Sequence, residues 1–473
     1  MASPVTSMRF AAAALSAKRV PGLVAPLRRS FASTASRAAQ SGPKNPDPTP
    51  DSPTVAFINE KAPYMVTTYV RPHPVMVKGQ GSYLWDMENR RYLDLTSGIA
   101  VNSLGHCDQE IANIIAEQAE TLVHASNLYH NPWTGALSKL LIEKTIESGA
   151  MRDASQVFVC NSGTEANEAA IKFARKVGHT LDPSGAKHEF VSFHNSFHGR
   201  TMGALSATPN PKYQAPFSPM VPGFKYGNFN DIEQLNTLIT DKTCGVIVEP
   251  IQGEGGVHSA TPEFLVALRE RCDAVGAVLI FDEIQCGLSR TGSFWAHGHP
   301  SLAPSTGKAA HPDILTTAKA LGNGFPIGAT IISEKAVGQH IKTGDHGTTF
   351  GGNPLASRVA HHIVERLASP DLQKSVDAKS ALFTSGFKAL QEKYPEIITD
   401  IRGRGLILGV QLSESYIPKA ADLITAGRER GMLIITAGNG CLRFVPALTI
   451  TEEQIKTALK ILEQSIEAVV AKN

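Results

Sequence analysis

The chain has 473 residues, of which 45 are Lys or Arg and 43 are Asp or Glu, and 42% of the residues are apolar. This length suggests two or three domains with a sizeable core. No run of about 18 apolar residues is present, which excludes a transmembrane helix, and the composition excludes a collagen, a disulfide scaffold and a disordered protein. A globular protein of enzyme size remains.

The N-terminal segment has the composition of an organellar presequence. Residues 1–46 carry seven basic residues and many Ser and Ala, and the first acidic residue is Asp47. This pattern is typical of a mitochondrial transit peptide, with a disordered basic tail as the alternative. Residues 28–33 resemble a mitochondrial processing site, so we expect a transit peptide over residues 1–36 and a mature protein in the mitochondrial matrix. Without that peptide the chain is slightly acidic, which argues against nucleic-acid binding.

The next segments alternate strand and helix patterns. Pro-rich residues 37–56 predict a linker, and residues 83–86 and 91–95 predict a hairpin. Apolar runs predict buried strands at residues 157–160, 189–193, 245–248, 277–281 and 327–332. Residues 165–177 carry apolar side chains at helical spacing. Strands that alternate with helices predict an α/β fold with a mostly parallel sheet.

The C-terminal residues predict a smaller α+β unit. A long helical pattern covers residues 375–394, strands are predicted at 405–411 and 442–445, and a capped helix follows residue 449. We expect the small domain to combine residues 57–104 with residues 346–473, around a large domain over residues 105–345. The polar, Pro-rich stretch 297–311 predicts a surface excursion.

The cysteines and histidines indicate no metal chemistry. The six cysteines are scattered without a C-x-x-C pair, which predicts neither a disulfide framework nor a zinc site. The pairs His194/His198 and His361/His362 lack the rest of a ligand set, so we predict no catalytic metal.

Two charged residues stand at points where an α/β sheet binds ligands. Asp282 ends the apolar run 277–281, and a helix cap or a structural ion pair is its simpler interpretation. Lys319 lies between apolar residues and a glycine turn, where a low dielectric lowers the pKa of a lysine and makes it a nucleophile. An ordinary lysine after a strand is the alternative. Together they match the lysine and the carboxylate that pyridoxal phosphate enzymes require.

A phosphate group needs an anion site. Residues 157–160 lead into a polar turn and the predicted helix that starts near Gly163 and Thr164, where free N–H groups favour an anion. A routine capped helix is the alternative. The loop 347–354 is a second, weaker candidate.

Six motifs carry a resemblance to a known family. They are, in chain order, NSGTEANEAAIK, FHNSFHGRT, VEPIQGEGG, LIFDEIQCGLSRTG, TTAKALGNGFPIGA and HGTTFGGNP. The set resembles the class III, fold-type I, pyridoxal phosphate aminotransferases over nearly all of the chain after residue 57. Within that class it is similar to the acetylornithine aminotransferases of fungal mitochondria.

The resemblance implies a role for each matching residue. Lys319 would bind the cofactor covalently and move a proton, Asp282 would pair with the pyridine nitrogen, and Gln285 would contact the phenolic oxygen. Phe197 would stack on the ring, and Gly163 and Thr164 would hold the phosphate. Thr349 would complete the phosphate site from the other subunit of a homodimer, with Thr348 beside it touching substrate.

The resemblance also implies two substrate arginines. Arg200 suits a substrate carboxylate because its guanidinium is planar and bidentate, and a surface ion pair is its simpler interpretation. Arg443 would pair with Glu254 while a terminal amine reacts, and would hold the α-carboxylate when glutamate reacts. One pocket could then accept both a neutral-ended donor and a dicarboxylate.

The implied reaction is transfer of the terminal amino group of N-acetylornithine to 2-oxoglutarate, which yields N-acetylglutamate 5-semialdehyde and glutamate in arginine biosynthesis. An ornithine δ-aminotransferase is the nearest alternative, but that family has tyrosines where Val70 and Gly98 stand here. A 4-aminobutyrate aminotransferase fits less well. Outside the class, a nicotinamide oxidoreductase lacks its glycine fingerprint, and an inactive scaffold would not need the intact Lys319 and Asp282.

Overall fold

The computed structural model describes residues 45–303 and 310–471. The predicted transit peptide, residues 1–36, and residues 37–44 of the predicted linker lie outside the described residues. The rest of that linker is described, and helix α1 begins within it at Pro53. No helix in the described ranges combines the length and the apolar character needed to span a membrane.

The helices are spread along the whole described chain. They are α1 (Pro53–Lys61), α2 (Ser97–Ala100), α3 (Gln109–Thr121), α4 (Pro132–Glu147), α5 (Gly163–Leu181), α6 (Met202–Ser206), α7 (Pro211–Gln214), α8 (Leu235–Leu238), α9 (Pro262–Val275), α10 (Pro354–Leu367), α11 (Pro370–Lys393), α12 (Ala420–Glu429) and α13 (Glu452–Val470). Short 3-10 turns lie at Ala62–Tyr64, Ala215–Phe217, Ala296–Gly298, Lys319–Leu321, Gly338–His340 and Ile417–Lys419.

The strands form three larger sheets and one two-stranded ribbon in the described ranges. They are β1 (Met76–Gln80), β2 (Tyr83–Asp86), β3 (Arg91–Asp94), β4 (Ala154–Cys160), β5 (Glu189–Phe193), β6 (Phe224–Gly227), β7 (Thr243–Val248), β8 (Ile251–Gln252), β9 (His258–Ser259), β10 (Val278–Asp282), β11 (Ile314–Thr317), β12 (Gly328–Ser333), β13 (Ile398–Arg404), β14 (Ile407–Leu412), β15 (Met432–Leu433), β16 (Ile435–Ala437) and β17 (Cys441–Phe444).

The central sheet has the order β4-β12-β11-β10-β7-β5-β6. Strand β12 runs antiparallel to both of its neighbours, and the other pairs are parallel. Every residue of β7, β10 and β12 is buried, as expected for strands that are covered on both faces. The prediction of an α/β fold with a mostly parallel sheet is therefore confirmed.

Alternating residues of the central strands pack against helices on opposite faces. Val278 and Ile280 belong to the apolar cluster of α5, whereas Leu279 and Phe281 belong to the cluster of α9. This follows from the two-residue period of a strand. Helix α5 can approach the sheet closely because Ala166, Ala169, Ala170 and Ala174 form its buried face.

The C-terminal segment builds a second sheet, β13-β14-β17-β16, which packs against α11, and α13 packs against α11 in turn. Phe383, Phe387 and Phe444 form the aromatic centre of this packing, with ring centroids 4.8–6.5 Å apart. Strand β15 pairs in parallel with β3, so the N-terminal hairpin joins the C-terminal part of the chain. This pairing supports a small domain made from both ends of the chain, whose boundaries stay a prediction.

The prediction of a surface excursion at 297–311 is wrong at its first residue. His297 is 7% exposed, and its Nδ1 lies 2.7 Å from Glu283 Oε1 while its Nε2 lies 2.9 Å from the carbonyl of Ala150. His311 Nδ1 lies 2.7 Å from the same carbonyl. A buried carboxylate and a buried carbonyl each need a donor, and these histidines supply it. Residues 304–309, inside this stretch, lie outside the described residues.

Candidate active site

A cavity of about 380 Å³ opens at the carboxyl ends of the central strands. Asp282 is the last residue of β10, Glu249 follows β7, Asn161 follows β4, and Ala318 follows β11. Open α/β sheets bind ligands at this edge because loops from several strands meet there. Of the predicted site residues, Gly163, Thr164, Phe197, Arg200, Asp282, Gln285 and Lys319 line this cavity.

Asp282 is held by a buried polar network. It is 3% exposed, and its Oδ2 accepts a hydrogen bond from Asn167 Nδ2 at 2.8 Å and lies 2.8 Å from His198 Nδ1. Thr316 Oγ1 donates to Asn167 Oδ1 at 2.8 Å and so fixes the orientation of that amide. A buried carboxylate with this much support has one rotamer and points one charge into the cavity.

His198 has one unused nitrogen. Its Nδ1 faces Asp282, and its buried Nε2 has no hydrogen-bond partner among the described residues. Both His198 and Asn167 were missed as site residues by the sequence analysis. Each lies inside a motif, SFHGR or NSGTEAN, but only the fold brings them to Asp282.

Lys319 stands at the start of a 3-10 turn with φ of +44°, a left-handed conformation that is strained for a residue with a side chain. Burial, together with the nearby positive charge of Arg443, lowers the pKa of Lys319 to about 8, while Asp282 opposes the shift. An amine with this pKa is partly neutral at physiological pH, as a nucleophile or a proton carrier must be.

Glu249 is a second buried carboxyl group at the same edge. Its Oε1 accepts a hydrogen bond from the Phe197 amide at 2.8 Å, and its Oε2 accepts one from the Gly253 amide at 3.1 Å. Burial raises its pKa to about 7; His198 opposes this shift and Asp282 adds to it. The sequence analysis missed Glu249, although it ends the apolar run 245–248 as Asp282 ends 277–281.

The N-terminus of α5 forms the predicted anion site. Ser162 caps the helix by accepting from the Glu165 amide. Thr164 Oγ1 accepts from the amides of Arg200 at 3.2 Å and Thr201 at 3.3 Å. A Cβ on Gly163 would lie 2.8 Å from the side chain of Ile284, so a larger residue would have to displace Ile284. Gly163 is the first residue of α5, where amides have no partner within the helix.

The loop 347–354 reaches the rim of this cavity through one of its two threonines. Thr348 Oγ1 accepts from Asn161 Nδ2 at 3.1 Å, and Asn127 Nδ2 donates to the carbonyl of Thr348 at 3.0 Å. Thr349 is exposed and its side chain has no hydrogen bond among the described residues. Thr348 therefore contacts Asn161, which lines the cavity, whereas the Thr349 side chain is exposed.

The structure contains the pair expected between Arg443 and Glu254. Arg443 is 1% exposed, its Nη2 donates to Glu254 Oε2 at 2.7 Å, and its Nη1 donates to Gln285 Oε1 at 3.0 Å. Glu254 is about one-third exposed. A buried cation needs such a partner, and the partially exposed carboxylate is the member of the pair that can move away.

Arg200 has a different environment. It is exposed, and its guanidinium lies 5.4 Å from the centroid of the Phe197 ring and 3.8 Å from that of Tyr213. Its side chain forms no hydrogen bond or ion pair within the described chain. Arg200 is thus an uncovered cation that lines the cavity, whereas Arg443 is a masked cation that reaches the cavity through its bond to Gln285.

These residues fit pyridoxal phosphate. The amides of the first turn of α5, at Gly163, match its phosphate, the buried Asp282 carboxylate matches a protonated ring nitrogen, and the Phe197 ring lines the space between them. The Lys319 amine lines the same cavity, where it can reach an aldehyde. No group of three or more potential metal ligands is present in the described ranges.

Comparison with known proteins agrees with this chemistry. The family model for class-III aminotransferases matches residues 64–466. A Neurospora crassa protein named mitochondrial acetylornithine aminotransferase is 65% identical over 95% of this chain and 94% of its own length. The N-acetylornithine aminotransferase of Stenotrophomonas maltophilia superposes with a TM-score of 0.73 at 36% identity, covering 88% of this chain and all of that one. The ornithine aminotransferase of Toxoplasma gondii superposes with a TM-score of 0.81 at 31% identity, covering 89% and 97%.

Proposed function

Since the chain belongs to the class-III aminotransferase family, we propose that it is an acetylornithine aminotransferase. It transfers the terminal amino group of N2-acetyl-L-ornithine to 2-oxoglutarate, which gives N-acetyl-L-glutamate 5-semialdehyde and L-glutamate for arginine biosynthesis. The likeness to the Neurospora crassa protein over nearly the whole length of both chains carries this choice of donor. The enzyme is a pyridoxal phosphate-dependent transaminase of fold type I, as its family and its fold neighbours are.

The two arginines explain how one cavity serves two substrates. N-Acetylornithine has one carboxylate and reacts through a terminal amine that carries no second carboxylate, so Arg200 binds the carboxylate and Glu254 keeps Arg443 masked. Glutamate has two carboxylates, and the second one competes with Glu254 for Arg443. Because Glu254 is partly exposed, it can turn towards solvent at little cost.

Four residues that line the cavity have roles towards the cofactor: Phe197, Asp282, Gln285 and Lys319. When bound, pyridoxal phosphate supplies an aldehyde that accepts the amino group and a ring that withdraws electrons from the reacting carbon. Asp282 would keep a proton on the ring nitrogen, Gln285 would hold the polar oxygen of the ring and Phe197 would pack against the ring face. The Nζ of Lys319 would hold the aldehyde and would serve as the group that accepts and returns a proton during the transfer. Its pKa of about 8 suits both tasks.

The donor side argues against free ornithine. Val70 is fully exposed and has no hydroxyl, and Gly98 has no side chain at all, so neither position offers a partner to a free α-amino group. Gly98 belongs to a short turn in which Ser97, Ile99 and Ala100 also have positive φ. Val101, which follows this turn, lines the cavity with an apolar side chain.

The active enzyme is a homodimer with the site at the interface. Large apolar side chains are exposed on the described chain, among them Tyr64, Val66, Leu128, Tyr129 and Phe350, and Phe350 lies next to Thr349 in the loop 347–354. Such a surface is typical of one that a second copy covers. Thr349 then completes the phosphate site of the other subunit.

The protein functions in the mitochondrial matrix, where residues 1–36 act as its transit peptide. The support is the basic, acid-poor composition of residues 1–46 and the mitochondrial designation in the name of the Neurospora crassa relative.

The visible absorbance of the purified holoenzyme tests the function. We expect the band of the bound cofactor to bleach fastest with N-acetylornithine when this amine, ornithine and 4-aminobutyrate are added separately at equal low concentration. Bleaching by ornithine alone would keep the mechanism and overturn the donor. A protein that binds no pyridoxal phosphate would overturn both, and a Lys319→Ala variant that still turned over would exclude the role of Lys319.

A further inference from the structure

Tyr213 lies beside the cavity but does not line it. It is partly exposed and belongs to the short helix α7, and its ring centroid is 3.8 Å from the guanidinium carbon of Arg200. The same ring meets the Phe197 ring edge to face at 6.4 Å and 87°. Tyr213 thus contacts two residues of the proposed site without touching the space where a substrate would lie.

The Tyr213–Arg200 contact leaves the hydrogen-bonding groups of Arg200 unused. A guanidinium that stacks on a ring presents its face to the ring, whereas its N–H groups point outward in its own plane. No hydrogen bond from the Arg200 side chain is formed within the described chain. The ring therefore restrains the cation and keeps its bidentate edge free for a carboxylate.

The short helix that carries Tyr213 is held in place by hydrogen bonds of its own residues. Asn210 caps α7, and the carbonyl of Asn210 accepts from the Tyr213 amide at 2.9 Å. The neighbouring Gln214 donates from Nε2 to the carbonyls of Leu205 and Thr208 at 3.0 and 2.9 Å. The Tyr213 hydroxyl forms no hydrogen bond to any described residue, so the ring alone makes the contact with Arg200.

We propose that Tyr213 is the positioning residue that holds Arg200 ready for the substrate carboxylate distal to the reacting amine. Its effect is on carboxylate recognition and not on the cofactor. This inference rests on the proposed function, because it assigns the ligand of Arg200 in that reaction. It makes Tyr213 a determinant of selectivity for carboxylate-bearing donors.

The test compares two donors that differ only in this carboxylate. N-Acetylornithine and N-acetylputrescine, the same molecule without its carboxyl group, are assayed with the holoenzyme and with Tyr213→Leu. The free energy of an exposed cation–π contact corresponds to about a two- to fivefold change in a binding constant. We therefore expect kcat/KM for N-acetylornithine to fall by that factor in Tyr213→Leu, because KM rises while kcat is unchanged. N-Acetylputrescine and the absorbance of the bound cofactor should not respond.

Two control variants separate the ring from the fold. Tyr213→Phe keeps the ring and loses only an unused hydroxyl, so it should behave as the wild type. Phe217→Leu removes an exposed ring from the adjacent turn, one without a described contact to Arg200, and should change nothing. Equal losses with both donors in Tyr213→Leu would show an effect through Phe197, and would overturn the proposal. No loss with either donor would overturn it too.

A binding measurement distinguishes failure of this inference from failure of the proposed function. Glutarate, a dicarboxylate without an amino group, is titrated into the holoenzyme and its dissociation constant is measured by calorimetry. We expect Tyr213→Leu to weaken glutarate about two- to fivefold and Tyr213→Phe to leave it unchanged. If the wild type does not use N-acetylornithine, the proposed donor is wrong, yet the glutarate constants still decide the role of Tyr213.

Discussion

The cavity has two ends that the chain constructs in different ways. The inner end consists of Asp282, Asn167, His198 and Glu249, which are all at least 96% buried and which bond to one another or to backbone amides. The outer end consists of Arg200, Thr348, Thr349 and the exposed loops around them, and the side chains of Arg200 and Thr349 form no hydrogen bond among the described residues. The inner end is complete once the sheet has folded, whereas the outer end keeps polar groups that are free to bind a ligand.

The largest effect should come from removing the charge of the inner end. Asp282→Asn keeps the shape but cannot neutralise a protonated ring nitrogen, and it places two amide groups face to face at Asn167. Losing one partner of a buried charge pair costs roughly 3–5 kcal/mol, so we expect kcat to fall about a thousandfold. Steady-state assays measure this. Asp313→Asn, the same change at the opposite edge of the sheet, should lower stability and leave kcat within about twofold.

A smaller effect, on one of the two substrates only, is expected from a change in the Arg443–Glu254 pair. Glu254→Gln leaves Arg443 unmasked, so the cavity should favour the dicarboxylate. We expect kcat/KM for N-acetylornithine to fall about tenfold while that for glutamate stays within about twofold. The two half-reactions, measured separately by stopped-flow absorbance, give this ratio. Asp400→Asn, which breaks the more exposed Arg402 pair, is the control; equal losses in both half-reactions would contradict the masking role.

The outer end should lose affinity without losing stability. Thr349→Ala removes an exposed hydroxyl that has no partner within its own described chain, so the melting temperature should not change. If it binds the phosphate of the other subunit, a hydrogen bond to a charged group is lost, and the dissociation constant of pyridoxal phosphate should rise about tenfold. Thr457→Ala, on the remote helix α13, should leave that constant unchanged. An unchanged constant in Thr349→Ala would place the phosphate within one subunit.

The smallest effect concerns the pH dependence of the inner end. Folding raises the pKa of Glu249 to about 7 because the group is buried. Between its ordinary pKa and this value the folded protein binds the extra proton, so this contribution to stability is present at low pH and is lost as the pH rises through 7. We expect the melting temperature of the apoprotein to fall less over this interval in Glu249→Gln, by a few degrees. Parallel curves for both proteins would contradict the assignment.

The sequence was most informative for two charged residues beside buried strands, although it missed Glu249, which follows β7. Asp282 and Lys319 were found because an apolar run or a glycine turn beside a charge is visible along the chain. Asn167 and His198 reach Asp282 from positions 115 and 84 residues away, and no local pattern indicates such contacts. His297 was misread for a related reason, since its burial depends on Glu283 and Ala150, which the local composition does not show.

For the fold, too, features with a local sequence pattern were predicted and features that depend on remote contacts were not. Strands and helices with a regular apolar period were predicted within a few residues of their observed bounds, as for α5 and β5. The reversed direction of β12 was not predicted, because apolar burial is the same in either direction. The contact between Arg200 and Tyr213 was not predicted either, since a ring on a four-residue helix has no periodic signal.

The short helix α7 has an evolutionary consequence. Its ring contacts the cation Arg200, yet the helix is held by a cap and by one glutamine, whose only bond to the central sheet among the described residues is to Tyr226 of the edge strand β6. Substitutions, insertions and deletions in α7 can therefore change this segment without unfolding the central sheet, which carries Asp282. An enzyme with this fold can thus acquire a new preferred amine through changes at a few peripheral positions, while the residues that carry the reaction stay the same. The solved structures named for N-acetylornithine and for ornithine share this architecture, as such a history would produce.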